Sequence, residues 1–408
     1  MGKLKNNAVM LALVMGLALS GMAQPDPGAE RTDNNARLYR EGNAWVEETT
    51  GTLPASRTLR VSTEVGTVRV NGGASGAVTY VVKKKAFVSS ESAARREFDA
   101  FRISGAQRSD ATILEGEFVQ RGQHKLSADF QIQAPRDTRL LTIETRGGGI
   151  NVNNIAGRVE TETAGGGIQL DGIGGTIVAN TLGGSIQLGN GSADAILKTA
   201  GGGITVESIS GPLTATTYGG SMSLGTAGQS ATLESMGGSI KVRQTAGDLR
   251  ASTAGGNIEA GEIGGTAVLK TAGGSIRLGS AKGLVRASTA GGGITLFRLE
   301  KGVMAETAAG GITVGFTGSK GITESSLQTS AGDITLYLPA SIACSVKAAI
   351  DMASGHRIRS DFPEVKVVTE GESYGPREVY AQGSLNGGGP TIKVRTGIGD
   401  IEILKAQK

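Results

Sequence analysis

The residues best suited to bind a charged ligand are three basic side chains, Arg250, Lys270 and Arg286. They belong to residues 241–301, a stretch that holds nine basic and four acidic residues. The strand pattern described below places them on outward positions of nearby strands, within roughly 10 Å of one another at the usual strand spacing. Such a patch attracts acidic polysaccharide, lipid headgroups or teichoic-type polymers. The alternative is a face that only keeps the protein soluble.

Paired carboxylates on one face would indicate an enzyme that cleaves glycans. Glu160 and Glu162 are spaced for this role, because residues two apart on a strand share a face. The next repeat has Val178 and Asn180 at the same places, so no acidic cluster continues along the chain. No Ser-His-Asp arrangement, phosphate-binding loop or dinucleotide fingerprint is recognisable. The sequence therefore predicts no catalytic residues and no cofactor, and a protein that is not an enzyme.

Metal and thiol chemistry are not expected either. The chain has two histidines, His124 and His356, and calcium-binding nonapeptides need an Asp in Gly-Gly-x-Gly-x-Asp where this chain has Val or Leu. The lone Cys344 cannot form an internal disulfide. It alternates with Ile342 and Val346 on the apolar side of a strand, which predicts burial as a small hydrophobe rather than a reactive thiol.

One eight-residue pattern recurs ten times between residues 145 and 314 and must position all of these side chains. Each copy has a hydroxyl residue, a glycine turn and an apolar-polar-apolar strand, and the copies are 18 residues apart without slippage. A period held over so many copies is typical of a solenoid, in which each repeat buries its apolar face against its neighbours. The copies read TRGGGINV, TAGGGIQL, TLGGSIQL, TAGGGITV, TYGGSMSL, SMGGSIKV, TAGGNIEA, TAGGSIRL, TAGGGITL and TAAGGITV.

Two facing strands per repeat account for the apolar positions. The second strand begins nine residues after the first, and its large and small residues exchange places from repeat to repeat, as in Ala195/Leu197 followed by Leu213/Ala215. This exchange lets neighbouring coils interdigitate at interior density. A left-handed hexapeptide helix would need an apolar residue every six positions, which the chain from Ile204 onwards lacks. We therefore expect an all-β fold, a single-stranded parallel β-helix (β-solenoid) with 18-residue, two-strand coils.

Glycine and threonine are expected to form the corners of these coils. Two glycines after each Thr or Ser allow positive φ and a close approach of the backbone where the chain reverses. The Thr/Ser column continues the inward side of the second strand. We therefore expect its hydroxyls to bond to corner amides or to one another.

The start of the chain has the features of a secretory signal. Residues 1–23 have early lysines, an apolar run too short to span a bilayer, and small residues before a cleavage site expected after Ala23. Residues 24–56 form a polar, proline-containing lead-in. No other apolar stretch approaches transmembrane length. We therefore expect an exported protein that is periplasmic, cell-surface or extracellular.

β-rich caps are expected at both ends of the repeats. Residues 57–140 form the N-terminal cap, with one short helix near 90–101 that starts after Ser89 or Ser90. The basic triplet at 83–85 is interpreted as a solvated strand end, with binding of an anionic polymer as the alternative.

The repeats occupy residues 141–316, and residues 317–408 form a C-terminal β region. The period breaks by four residues before the copy TSAGDITL at 329–336. The motif GDIEI at 399–403 repeats the coil pattern once more. We expect it to be the closing rung of the solenoid.

The Gly-Gly-x-Ile repeats, the segment GDITLYLP at 332–339 and the ending NGGGP followed by GDI resemble the bacterial putative-adhesin domain. This is a family of exported β-strand repeat proteins of unknown function. The resemblance covers about residues 59–403. It implies a β-helical protein of the cell envelope or outside the cell, and it supplies no catalytic residues to carry over.

These observations predict a non-enzymatic exported protein of the cell envelope or surface, adhesin-like, with a polar face for a polymer or protein partner. An envelope polysaccharide or another envelope protein would fit. Nucleic acid is not expected, because the chain is exported and lacks aromatic residues interleaved with basic ones. Two alternatives stay open, namely a polysaccharide-active β-helix enzyme and an envelope-stress regulatory or scaffold protein.

Overall fold

The computed structural model describes residues 36–74, 76–318, 322–353, 355–370 and 378–406. Strands fill most of these ranges, and α1 (Glu91–Ala100) is the single helix within them. The predicted signal peptide and residues 24–35 of the lead-in lie outside the described residues. The expectation of a loose lead-in is wrong for the rest of it, because residues 37–41 and 44–54 form strands of the first sheet. The helix confirms the prediction of one short helix near 90–101.

The strands divide into those before, within and after the repeats. The first group is β1 (Arg37–Glu41), β2 (Ala44–Pro54), β3 (Thr58–Thr63), β4 (Val68–Gly73), β5 (Ala77–Ala86), β6 (Phe101–Arg108), β7 (Ala111–Phe118) and β8 (Leu126–Pro135). The repeats contribute β9 (Leu140–Thr145), β10 (Ile150–Asn153), β11 (Arg158–Thr163), β12 (Ile168–Asp171), β13 (Ile177–Thr181), β14 (Ile186–Gly191), β15 (Ala195–Thr199), β16 (Ile204–Ile209), β17 (Leu213–Thr217), β18 (Met222–Ala227), β19 (Ala231–Ser235), β20 (Ile240–Thr245), β21 (Leu249–Thr253), β22 (Ile258–Ile263), β23 (Ala267–Lys270), β24 (Ile276–Ala281), β25 (Val285–Thr289), β26 (Ile294–Leu299), β27 (Val303–Ala309) and β28 (Ile312–Phe316). The last group is β29 (Ser325–Ala331), β30 (Ile334–Leu338), β31 (Cys344–Ile350), β32 (Ile358–Ser360), β33 (Lys366–Glu370), β34 (Glu378–Leu385), β35 (Thr391–Ile398) and β36 (Ile401–Lys405).

Two sheets of 18 strands each form the solenoid. The even-numbered repeat strands build the first sheet and the odd-numbered ones the second, and each pairs in parallel with the strand one coil away. Ile150 pairs with Ile168, and Ile168 with Ile186, so the register advances by one sequence repeat per coil. The predicted β-solenoid with two-strand coils is confirmed.

The core consists of columns of inward side chains between the two sheets. In the second sheet Ala195 pairs with Leu213, and Leu213 with Ala231, and all three are buried. The exchange of large and small residues predicted from the sequence is therefore a real packing pattern. Burying each such leucine contributes roughly 1.5–3 kcal/mol.

A hydroxyl at each glycine corner ties neighbouring coils together. Thr199 donates to the carbonyl oxygen of Gly184 in the preceding coil at 2.7 Å and accepts from the amide of Gly202 at 3.2 Å. The predicted hydrogen bond from a corner amide to the hydroxyl is confirmed. The hydroxyl itself donates to a backbone carbonyl oxygen and not to another hydroxyl. The same two bonds recur at Thr163, Thr181, Thr217, Ser235, Thr253, Thr271 and Thr289.

The second glycine of each paired corner is required by close backbone contact. A Cβ on Gly220 would lie 2.1 Å from the carbonyl oxygen of Gly202, whereas a Cβ on Gly219 would lie 3.3 Å from that of Gly201. The expectation of positive φ is wrong for these corners, because their glycines have ordinary φ values. In four corners the first glycine is replaced by Val65, Ala309, Ala331 or Ile398. The glycine that follows each of them has positive φ, namely 90° at Gly66, 148° at Gly310, 149° at Gly332 and 148° at Gly399.

The N-terminal end is built out of sequence order. β3 and β4 form a coil that pairs with β9 and β10 on one side and with β7 and β8 on the other. β5, β2 and β1 then extend the first sheet in antiparallel fashion, and β6 extends the second. Helix α1 is capped by Ser90, whose hydroxyl accepts from the amide of Ala93, and it buries Ala94 and Phe98.

The basic triplet at 83–85 is paired with carboxylates of β1 and β2. The buried Lys84 also donates to the carbonyl oxygen of Phe98 at 3.2 Å. These ion pairs favour a structural role of the triplet over polymer binding. The expected solvent exposure is wrong for Lys84, because this side chain is buried beneath helix α1. The distances from Nζ to the carboxylate are 3.4 Å for Lys83–Glu48, 2.8 Å for Lys84–Glu47 and 3.3 Å for Lys85–Glu41.

The C-terminal end also doubles back. β36 lies between β30 and β32, and β35 lies between β29 and β31. The rung at 399–403 is therefore internal, and the expectation that it closes the solenoid is wrong. The last parallel rung is β31 with β32, and β34 and β33 follow it in antiparallel fashion in the second sheet.

The two glycines of one corner should differ sharply in their tolerance of a side chain. We expect Gly220→Ala to cost about 1–3 kcal/mol in the free energy of unfolding, because the backbone of the preceding coil must move. Gly219→Ala should cost less than the neighbouring substitution. Urea unfolding followed by circular dichroism would measure both, and equal losses would contradict the role given to the second glycine.

Replacement by valine should destabilise the protein at one threonine of β11 and not at another. Thr163 makes both corner bonds, so Thr163→Val should lower the free energy of unfolding by about 1–3 kcal/mol. The hydroxyl of Thr161 is buried without a hydrogen bond among the described residues. Thr161→Val should therefore be neutral or stabilising, by up to about 1 kcal/mol. Destabilisation by Thr161→Val matching that of Thr163→Val would refute the assignment.

Candidate binding surfaces

The outer face of the second sheet carries the three predicted basic residues. Arg250 pairs in register with Val268, and Val268 with Arg286, so the two arginines share one row across three coils. Lys270 lies two residues beyond Val268 on the same face, and all three basic side chains are exposed. The structure thus places them within about 10 Å along the stack. Their role in binding stays a prediction.

Carboxylates limit the extent of this basic patch. The row of Lys270 contains Ser252 and Ser288 on the adjacent strands, and Glu234 and Glu306 one strand further on each side. The positive potential is therefore confined to about three coils. An acidic polymer would meet it as a local anchor and not as a continuous track.

The acidic pair near the first coil lies on an open sheet face. Glu160 accepts from Nε of Arg158 at 2.7 Å. Glu162 pairs in register with Glu144 of β9, a neighbour that stepping back 18 residues in the sequence would have revealed. All three carboxylates project outwards and are at least partly exposed. Within the described part of the chain, no group of three His, Cys, Asp or Glu side chains is arranged to hold a metal ion.

A ladder of amide side chains crosses the outer face of the first sheet. Asn151 donates to Gln169 at 2.9 Å, and Gln169 donates to Gln187 at 3.3 Å. Asn153 donates to Asn151 at 2.7 Å and to Asn71 at 3.1 Å. These residues lie on the four adjacent strands β4, β10, β12 and β14. The regular period alone places Asn151, Gln169 and Gln187 in one row, but it does not show that Asn71, from the coil that is inserted out of order, continues the ladder.

The row that starts at Asn151 changes in chemistry along the stack. After the amides come the hydroxyls of Thr205 and Ser223. Lys241, Glu259 and Arg277 follow on successive strands, with nitrogen–oxygen distances of 3.8 and 3.5 Å to the central carboxylate. Like the amides, these exposed charges satisfy one another across coils, so the face stays polar with little net charge.

A groove lies at the N-terminal end of the same face, over β2, β5 and β8. Its volume is about 520 Å³. A Cβ on Gly51 would lie 2.3 Å from the ring of Tyr80, so the ring can cross β2 only because position 51 is glycine. The other lining residues are Thr50, Thr52, Thr79, Val81, Gln131 and Gln133.

Cys344 is fully buried on β31. Removal from water raises the pKa of its thiol to about 11, so the nucleophilic thiolate is scarce at neutral pH. The prediction that it is a buried small hydrophobe is confirmed. None of the described helices is long and apolar enough to cross a membrane.

The fold and its surfaces define a class of protein: a β-solenoid with a repeated apolar interior and polar, hydrogen-bonded outer faces. No protein-family model and no curated protein matches the chain. Among solved structures, the chain is similar to a putative cell adhesion protein from Clostridium sporogenes ATCC 15579. The two sequences are 12% identical, the match covers 88% of this chain and 100% of that chain, and the TM-score is 0.18. A putative adhesin from Bacteroides fragilis NCTC 9343 shows 10% identity, 88% and 97% coverage, and a TM-score of 0.20. Both are named for adhesion, as is the family that the sequence resembles, but at these scores neither likeness carries an argument about the site.

The Cys344 thiol should resist modification in the folded protein. We expect a thiol-reactive reagent such as Ellman's reagent to label it at neutral pH only after unfolding in denaturant, because the native thiol is both buried and protonated. The measurement is the labelling rate with and without urea. Fast stoichiometric labelling of the native protein would contradict the burial.

Proposed function

We propose that the protein is a non-enzymatic, exported, adhesin-like β-solenoid of the cell envelope or surface that presents a polar face to a polymer or protein partner. One observation carries the proposal, namely the in-register polar rows on the outer face of the first sheet. The side chains in these rows stand on rigid, fully paired strands. Interfaces that are ordered before binding lose less conformational entropy when the partner arrives.

The arrangement supports binding more than catalysis. The candidate carboxylates stand side by side on one open sheet face, while glycan cleavage commonly needs two carboxyl groups that flank the glycosidic bond. A flat face repeated every 4.8 Å or so instead suits an extended partner that makes many similar contacts. The basic patch of Arg250, Lys270 and Arg286 adds a local attraction for acidic groups on that partner.

Export rests on the sequence, through the predicted signal peptide at residues 1–23. Cleavage after Ala23 would release the chain into the periplasm, to the cell surface or into the medium. Each of these locations would bring the polar faces into contact with envelope polymers and other envelope proteins.

Co-sedimentation with isolated cell envelopes and insoluble acidic polysaccharides tests the proposal. We expect saturable binding without release of soluble fragments, and a several-fold loss of the acidic-polymer component at high salt, where screening weakens exposed charges. Replacing Arg250, Lys270 and Arg286 together by alanine should reproduce that loss. The matched control is Lys198→Ala, which removes an exposed lysine from the row of Lys270 four coils away.

Release of soluble fragments would favour the enzyme alternative instead. Glu160→Gln and Glu162→Gln would then be the first variants to assay, because loss of turnover in either would identify the catalytic carboxylate. Absence of binding to any envelope fraction would reject the adhesin-like function.

A further inference from the structure

Two rows of outward side chains cross the first sheet, the first over the seven strands β2, β5, β8, β4, β10, β12 and β14, and the second over the first six of them. Strand pairing puts every neighbour in register. We call this surface the amide track. Its first row is Thr50, Val81, Gln131, Arg69, Asn151, Gln169 and Gln187, and its second row is Thr52, Thr79, Gln133, Asn71, Asn153 and Asp171.

The amide track joins a concave end to an ordered, flat end. The groove over β2, β5 and β8 forms the concave end. The flat end is the ladder from Asn71 to Gln187, with its bonds of 2.7 to 3.3 Å between side chains. Each amide in the ladder keeps donor or acceptor capacity towards solvent, because an Asn or Gln side chain offers two N–H donors and two lone pairs.

The chemistry of the amide track selects an uncharged ligand. Arg69 and Asp171 are its charged members, one of each sign, so the surface has no net charge to attract an ion. Amides and hydroxyls both donate and accept, and a ligand that does the same along its length satisfies them best. Sugar hydroxyls have this property.

A protein partner fits the amide track less well. Protein interfaces are centred on buried apolar and aromatic anchors, and Val81 is the only apolar side chain in the two rows. A peptide strand that binds through its backbone needs an open sheet edge. From β5 to β14 the amide track lies on strands that are paired on both sides, so an added strand could reach it only at residues 49–54 of β2, which pair with β5 alone.

We propose that the amide track binds an uncharged polysaccharide chain laid across the strands, with one end in the groove. Successive strands repeat about every 4.8 Å, on the same scale as one pyranose ring in an extended chain, so that consecutive sugars meet side chains of successive strands, and from β10 to β14 those of the first row are all amides. This inference rests on the proposed adhesin-like function and names the class of its ligand. The amide track and the basic patch would therefore bind different ligands, an uncharged polysaccharide on the amide track and an acidic polymer on the basic patch.

Affinity measurements with three neutral polysaccharides, cellulose, chitin and mannan, test the proposal. We expect saturable binding to at least one of them that high salt does not weaken. The double variant Asn151→Ala/Gln169→Ala removes the centre of the ladder and should weaken this binding tenfold or more, since several hydrogen bonds are lost together. Its matched control is Gln328→Ala, which removes an exposed glutamine from the second sheet and should bind like the unaltered protein.

Thermal unfolding of the variants separates lost binding from lost folding, because substitutions on the outer face, where Asn151 is partly exposed and Gln169 and Gln328 are exposed, should leave the melting temperature nearly unchanged. Retention of none of the three neutral polysaccharides would overturn the proposal, as would equal losses in the double variant and the control. If envelope binding persists in either case, the adhesin-like function survives and only the ligand class is wrong. If envelope binding is also absent, both fail.

Discussion

The close stacking of glycine backbones at one corner of the coil constrains the rest of the structure. Each second glycine lies so near the preceding coil that a Cβ would overlap a carbonyl oxygen, and a threonine or serine hydroxyl bonds across the same step. An insertion at this corner would break both contacts. The four extra residues after β28 lie instead between β28 and β29, at the opposite corner, and in that longer coil Thr329 still donates to the carbonyl oxygen of Gly310 at 2.9 Å.

The same constraint divides the positions of a coil into fixed and free ones. Corner residues and inward columns must fit the neighbouring coil, so they repeat as Thr, Gly, Ile and the exchanging Leu and Ala. Outward positions need only be compatible with a strand, and along one row they pass from amides to hydroxyls to paired charges. The solenoid therefore supplies a rigid frame, and functional differences arise on its outer faces.

Features set by local, repeated sequence could be predicted. The coil period, the two-strand cross-section, the corner hydroxyl bonds and helix α1 each follow from residues close together in the chain. The order of coils at the ends could not, because β4 reaches β10 across more than 70 residues of sequence, and the strand pattern of a coil does not say which coil lies beside it. The same holds for Asn71, which belongs to the inserted coil, whereas Asn151, Gln169 and Gln187 of the ladder follow the regular period. The basic patch needed only the regular period, so its three residues could be placed together from sequence.

The N-terminal cap and the amide track share two strands, β2 and β5. A solenoid end presents unpaired backbone groups to other chains, and here β5, β2 and the short β1 continue the first sheet in antiparallel fashion, which moves that edge away from the parallel coils. Their outward residues, Thr50, Thr52, Thr79 and Val81, line the groove, and Gly51 lets Tyr80 fill the inner side beneath it. A cap of another design could close the solenoid equally well, but it would remove two of the seven strands and the only concave part of the amide track. The structure of the cap thus determines whether the N-terminal end of the amide track is a flat surface or a groove.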